Sequence, residues 1–503
     1  MTPYTRNQRR LLIASNRLPL SVKPKDGSYE AVPSSGGLVT ALKGLSFSDY
    51  LWLGWPGGDI NERDRESVDK ALAKENAAAV YLDQGLAQSH YNGFSNGVLW
   101  PTLHYQSEVS FDNETWDAYQ RVNKIFADRI SEAAVDGDLI WVHDYHLLLL
   151  PRLLREHLHA QNKRCAIGYF LHTPFPADDF WKGLPVQKQL LDGVLGSDLI
   201  GFHTDEYKAN FAGACGSYIG AEVEGDDIHY GDRTIHIDKY VAGIDCQRFA
   251  DTIDDPEVQA KIQELETQYK DKTIIIGVDR MDYTKGLPEK LEGFRAFLDQ
   301  HPEWSEKVLL IQIAIPSRED VKKYQDLEGE VSKLVGQITG KYATPKSTPL
   351  LYIHRSVSFA ELTALYSVSD VCLLTSRRDG MNLVASEYVA CQEARHGVLA
   401  LSEFTGAAVF MKPGSLLFNP ADADGLSNAL YEAVTMEKKD RKKMYEELRS
   451  FVTTNTRLVV SFLSSFHLVK FASPTRGTSD LVISKANTHF PSVRSGQRRS
   501  LES

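Results

Sequence analysis

Short apolar runs recur along this chain, each ended by a loop rich in charged, glycine and proline residues and then by a helical spacing of apolar positions. Runs at 11–15, 50–54, 138–142, 165–171 and 197–202 read as buried parallel strands. A second series reads the same way at 273–278, 308–315, 350–353 and 371–375. Helices are expected at 39–44, 116–133, 359–367 and 383–394, and from residues 147 and 287 onward. This alternation predicts an α/β chain with a doubly wound sheet up to about residue 245 and a repeat of that architecture from about residue 271.

Open α/β sheets bind ligands outside the carboxyl ends of their strands, so the loops there carry the candidate chemistry. After 371–375 comes SRRDGMNLVASE. Gly380 permits close backbone approach, the following helix start is a ready anion site, and Asp379 can accept hydrogen bonds from hydroxyls. Glu387, one helical turn inward, can hold two sugar hydroxyls. A diphosphate with a sugar at each end would suit this corner, and solvated charges on a plain strand–loop–helix turn would also account for it. Arg280 and Lys285 are five residues apart across a tight loop and can converge on one anion without metal. Arg17 follows the first strand and can clamp a phosphate or lie on the surface. Gly36-Gly37 precedes a helix and can expose N–H groups to an anion or form an ordinary turn.

Trp55 sits with Pro56-Gly57-Gly58 in a loop after the strand 50–54. Tyr91, Trp100, Pro101 and His104 form an aromatic segment beside Gly and Pro, read as loop and as ligand contact or core. The cluster His143-Asp144-Tyr145-His146 ends another strand, and Asp144 can orient an acceptor hydroxyl. No metal site is expected there, because the two histidines are three apart, without an HExxH pattern or a second ligand cluster. His172 lies in a loop stiffened by Pro174 and Pro176. Ser317-Arg318 ends the strand 308–315.

The 503-residue length suggests two or three domains. A net charge of −11 does not favour nucleic acid or anionic membrane. Five scattered cysteines with no CxxC pair read as reduced core thiols of a cytoplasmic protein. No run is long enough to span a bilayer, and no signal h-region opens the chain. From residue 457 the alternation stops. Residues 457–503 hold seven Lys and Arg against two Asp and Glu and read as an atypical, mostly disordered tail.

Together the stretches SNRLP, SGGL, WLGWPG, YNGFSNGVLWP, LIWVHDYHLLLLP, GYFLHTPFP, DRMDYTKG, IAIPSR and SRRDGMNLVASEYVA make the chain resemble the UDP-forming α,α-trehalose-6-phosphate synthases of glycosyltransferase family 20, in their fungal catalytic form. The resemblance covers roughly residues 8–455. It implies a GT-B fold, with an acceptor-binding Rossmann-like domain at 1–245, a nucleotide-sugar domain at 246–456 and the active site between them. It implies retaining glucosyl transfer from UDP-glucose to glucose 6-phosphate, without metal or cofactor, by a front-face mechanism. Donor contacts carried over are Gly37, His172, Arg280, Lys285, Asp379, Gly380, Met381, Asn382, Leu383, Val384 and Glu387. Acceptor contacts are Arg17, Trp55, Tyr91, Trp100, Asp144 and Arg318. His172, Asp144, Arg280 and Lys285 are the expected catalytic groups. A homo-oligomer and a separate phosphatase partner are expected. Alternatives are another phosphorylated acceptor, as in glucosylglycerol-phosphate synthesis, or a non-catalytic regulatory subunit. After Thr456 the chain departs from the family pattern, and the family's Trp-bearing helix that crosses back to the first domain is not recognisable.

Overall fold

The computed structural model describes residues 9–25, 27–33, 49–106, 109–319 and 321–455. Gly37, the helix expected at 39–44 and the tail 457–503 lie outside these residues. The first half forms a nine-stranded sheet. In spatial order it runs Ala77–Ala79, Tyr50–Trp55, Leu11–Arg17, Leu139–His143, Ala166–Phe170, Leu199–Phe202 and Arg233–Lys239, all parallel. Asp227–Tyr230 and Glu222–Glu224 extend it antiparallel. The second half forms an all-parallel sheet in the order Leu350–Ile353, Val308–Ile315, Thr273–Arg280, Val371–Leu374, Val398–Ser402 and Ser415–Phe418. A small hairpin, Leu20–Lys25 with Ser28–Pro33, stands apart.

The central strands are buried from end to end: every residue of Leu139–His143, Ala166–Phe170, Leu199–Phe202 and Val371–Leu374 is inside. That is why they read as unbroken apolar runs rather than as alternation, since helices cover both sheet faces. In the second sheet, chain order reverses between Thr273–Arg280 and Val371–Leu374. In the first it reverses between Leu11–Arg17 and Leu139–His143. Such switch points leave a crevice at the carboxyl ends of the two strands. The loops that begin at Arg280 and Ser376, and at Arg17 and Asp144, open there.

Several expected elements are corrected. The aromatic segment read as loop is helical: Gln84–Gln88 runs into a wide π-helix, Ser89–Leu99, and then Trp100–Leu103. Asp83 caps it by accepting the Leu86 N–H, and Phe94, Val98, Leu99 and Leu103 bury a continuous face. Trp55 is the last strand residue, paired with Arg17, rather than part of the following loop. The helix expected from residue 147 starts at Leu150. The Tyr119 hydroxyl donates to Tyr145 O and accepts from Leu148 N, which holds the intervening chain in a 3₁₀ turn. Pro151 then suits the first helical turn. The helix expected at 383–394 stops at Ala390. There the Gln392 side chain donates to Tyr366 O and accepts from Gly397 N, turning the chain.

The five cysteines are free, and all but the partly buried Cys246 are buried. Among the described residues, no helix is long and apolar enough to cross a membrane.

Candidate functional site

The two halves touch where the donor-side loop meets the first sheet. A Cβ on Gly380 would lie 2.0 Å from the His172 carbonyl oxygen, so only glycine allows this approach. Tyr207 of the first half donates its hydroxyl to Asp379 O at 3.1 Å. At the rim, the Arg378 guanidinium lies between the Tyr105 ring, 4.3 Å away, and the Phe404 ring, 4.8 Å away.

On the second half, Lys285 and Asp379 form an ion pair at 2.5 Å between two loops. Asp379 also accepts from Ser376 Oγ and Asn382 Nδ2. Burial pushes the Asp379 carboxyl up, but the charge and hydrogen bond of Lys285 outweigh this and leave it below the ordinary carboxylate range. Asn382 sits in the left-handed region at φ 61° and spends its amide on Asp379 and Ser376, so its side chain leaves the first N–H groups of the helix Leu383–Ala390 to another acceptor. Met381 is buried beneath that turn. Deeper along the helix, Glu387 accepts from the Tyr366 hydroxyl at 3.2 Å, and burial raises its carboxyl.

On the first half, three histidines stand at the carboxyl ends of three adjacent strands. His143 Nδ1 and His172 Nε2 are 3.0 Å apart, and the His203 ring lies 5.6 Å from that of His172. Burial, with the neighbouring imidazoles, pushes His172 well below the usual histidine range, so it is neutral near pH 7. Asp144 turns the chain at φ 73° and accepts the His172 N–H at 3.3 Å. Burial raises its carboxyl to about 6 against the pull of two backbone N–H groups and of Arg280 and Arg318. Tyr91 stacks on His146 with ring centroids 5.5 Å apart.

Trp100 joins the two halves. Arg318 lies 4.5 Å and Arg280 5.3 Å from its ring centroid. Arg318 also reaches the Tyr145 hydroxyl at 3.4 Å and Asp282 at 3.3 Å. Arg17 lies over Trp55 at 4.8 Å, and the glycine at Gly57 (φ +82°) leaves room for its guanidinium. Trp100 Nε1, Arg318 Nε and Asn382 Oδ1 are buried without a hydrogen-bond partner among the described residues. Buried polar atoms seldom go unpaired, and these three belong to side chains that the cation–π and loop contacts above bring to the meeting of the halves.

Of the residues singled out from sequence, Arg17, Trp55, Asp144, His172, Arg280, Lys285, Arg318, Asp379 and Gly380 thus fall at or just past the carboxyl ends of strands in two sheets. Tyr91 and Trp100 come from the helical segment 89–103, Glu387 from the helix Leu383–Ala390, and Gly37 lies outside the described residues. Met381, Asn382, Leu383 and Val384 share the turn with Gly380. Sequence reasoning gave no role to Asp282, His203, Tyr207 or Tyr324. Asp282 had a legible signal, a carboxylate between the two cations of the DRMDYTKG stretch. The other three meet the site only through tertiary contact.

Chains of known function are similar to this one in sequence and fold. The description glycosyltransferase family 20 matches residues 9–465, ten residues past the limit read from the motifs. An Aspergillus niger alpha,alpha-trehalose-phosphate synthase [UDP-forming] 1 is 45% identical over 485 residues, covering 93% of this chain and 94% of the relative. An E. coli structure bound with UDP-2-fluoro glucose is 33% identical, has a TM-score of 0.82, and covers 92% of this chain and 99% of that one. A Burkholderia xenovorans alpha,alpha-trehalose-phosphate synthase (UDP-forming) in complex with glucose-6-phosphate is 30% identical, has a TM-score of 0.80, and covers 91% and 99%. With the family matched over residues 9–465 and these relatives covered over more than nine-tenths of their length, the chain belongs to glycosyltransferase family 20.

Proposed function

We propose that the chain transfers glucose from UDP-glucose to glucose 6-phosphate, giving α,α-trehalose 6-phosphate and UDP. The observation that carries this reading is the meeting of Arg280, Arg318, Lys285 and Asp379 from one sheet with Trp100, Asp144 and His172 from the other. The similar E. coli and B. xenovorans chains were solved with a UDP-glucose analogue and with glucose 6-phosphate, which fits two substrates meeting in such a cleft.

In this reading the second half holds the donor. Arg280, Lys285 and the N–H groups of Leu383 and Val384 face the diphosphate, and Glu387 the ribose. Asp379 and the backbone of 380–382 face the glucose. Gly37 belongs beside the donor phosphates. Neutral His172 accepts or donates a hydrogen bond at the glucose without adding charge. The first half holds the acceptor: Arg17, Trp55 and Tyr91, with Arg318 from across the cleft, face the 6-phosphate, and Trp100 and Asp144 face the sugar. Transfer is front-face. The bond from the anomeric carbon to the diphosphate oxygen breaks, the acceptor hydroxyl oxygen bonds to the same face, and its proton passes to the departing phosphate oxygen. Fixed cations stabilise the negative charge that grows on that leaving group. The chain's part is positioning and electrostatics rather than a covalent carboxylate intermediate.

The test is UDP release by the full chain with UDP-glucose, with and without glucose 6-phosphate, in metal-free buffer. Release that depends on glucose 6-phosphate and yields trehalose 6-phosphate is expected. No release from a chain shown to be folded would overturn the reading. Release only with glycerol 3-phosphate would move the acceptor assignment.

Asp144 gives a pH signature. Its carboxyl titrates at about 6, so the accepting carboxylate forms as pH rises through that value. Turnover per unit substrate concentration is expected to fall about tenfold for each pH unit below about 6. In Asp144→Asn that limb is expected to vanish, with activity low at every pH. A limb of unchanged shape in the variant would assign it to another group.

A further inference from the structure

We infer that Asp282 is a positioning residue for the transfer reaction, its one carboxylate holding the donor-side Arg280 and the acceptor-side Arg318 against the same indole. The inference rests on the reading of the cleft given above.

Asp282 is fully buried. Its Oδ1 accepts from Thr284 N at 3.0 Å and Thr284 Oγ1 at 2.9 Å, which fixes the carboxylate plane. Its Oδ2 lies 3.3 Å from Arg318 Nη1, 3.4 Å from the Tyr324 hydroxyl and 3.9 Å from Arg280 Nη2. The Tyr324 hydroxyl also contacts Arg318. Both guanidinium groups stand over Trp100. Two like charges over one ring, one of them buried, repel each other, and a buried carboxylate beside both offsets that repulsion with attraction. The group is ionised at any working pH: burial raises its carboxyl, but Arg280, Arg318, the Thr284 N–H and Lys285 bring it to about 2.

The two arginines depend on Asp282 unequally. The Arg318 side chain is 3% exposed and is also held by Tyr145 and Tyr324. The Arg280 side chain is 42% exposed and lies against Asp282 and Trp100. Removing the charge of Asp282 would therefore loosen Arg280 first. The cleft would become one unit more positive, so anions would still be attracted while the diphosphate lost its fixed cation. A group that merely held the fold together would behave differently, since its loss would weaken binding and turnover together.

The test compares the full wild-type chain with Asp282→Asn and Tyr324→Phe, measuring thermal unfolding, calorimetric affinity for UDP and for glucose 6-phosphate, and turnover. For Asp282→Asn, kcat is expected to fall about 10²-fold while the UDP affinity stays within about threefold of wild type or tightens. Tyr324→Phe, which removes the hydroxyl between Arg318 and Asp282 and leaves the Asp282 charge beside Arg280 in place, is expected to weaken glucose 6-phosphate binding several-fold and leave UDP binding unchanged. Parallel loss of UDP affinity and kcat in a folded Asp282→Asn chain overturns the inference, as does an unchanged kcat. If Asp282→Asn does not fold, Tyr324→Phe decides, and unchanged glucose 6-phosphate affinity overturns the inference. Absence of wild-type turnover defeats the functional reading itself; normal wild-type turnover with an indifferent Asp282→Asn defeats this inference alone.

Discussion

Lys285→Ala is expected to lose roughly 10²- to 10³-fold in turnover, the scale seen when one fixed donor to a developing oxyanion is removed. The loss has a second part, visible without substrate. Lys285 is the ion-pair partner of Asp379, and both side chains are 13% exposed. Truncating it leaves a nearly buried carboxylate with hydrogen bonds from Ser376 and Asn382 and only the more distant charge of Arg280, which costs about 3 kcal/mol at the lower end of broken buried pairs. The dependence on pH has a definite sign. In the wild type the Asp379 carboxyl is held below its ordinary range. It therefore contributes stability above the unfolded value of about 4, and that contribution is lost as pH falls through the folded value. In the variant, burial alone would raise the carboxyl, so its ionisation opposes folding. The unfolding temperatures of the two chains should converge in acid and separate as pH rises through the carboxylate range. Turnover near wild type together with parallel stability curves would show that the pair is not doing this.

Gly380→Ala is the smallest change with the next largest effect. The added methyl would lie 2.0 Å from His172 O, 3.1 Å from the His172 carbonyl carbon and 3.2 Å from Thr173 Cα, all backbone atoms. Nor can the loop retreat, because the Gly380 carbonyl packs against Gly406, where a Cβ would come within 1.8 Å of it. The donor loop must then shift relative to the first sheet, and a displacement near 1 Å costs about 10²-fold in rate. The stability penalty is expected to be only about 1–3 kcal/mol, the usual range for overpacking. Gly213→Ala, in the helix Asp205–Ile219 with nothing within 4 Å of the new methyl, is the control and should gain up to about 1 kcal/mol in stability with unchanged turnover. Equal activities for Gly380→Ala and the control would mean that the halves are not in register at this point.

The sequence was most informative where its signals are local. Strands buried on both faces declare themselves as apolar runs, so Val308–Ile315 was legible to the residue, and the partly buried edge strand Leu350–Ile353 was legible as a short apolar run of its own. The loop chemistry following them was legible for the same reason: each loop starts where the run stops. Boundaries set by distant partners were not legible. The Tyr119 hydroxyl delays the helix after Asp144, and Gln392 ends the helix after Gly380. The antiparallel extension Glu222–Tyr230 was missed because its outer strand is exposed along its whole length and carries no apolar run. At the site, residue types and their strand-end positions could be read. Their pairing could not: Lys285 with Asp379 spans 94 positions, and His143 with His172 spans 29.

The wide helix Ser89–Leu99 carries a consequence for the tolerance of this chain to changes in length. Hydrogen bonding from each residue to the fifth along, in place of the fourth, lets one more residue per turn occupy the same span. Deleting a single residue there would allow the segment to relax into ordinary α-helix at little backbone cost. Each residue of an α-helix turns the next by about 100°, so the angle about the helix axis between Tyr91 and Trp100 would change. The helix acts as a vernier between the ring stacked on His146 and the ring beneath two arginines. One-residue indels between positions 91 and 100 should therefore be far more damaging to activity than most substitutions within that span, even where the chain folds normally.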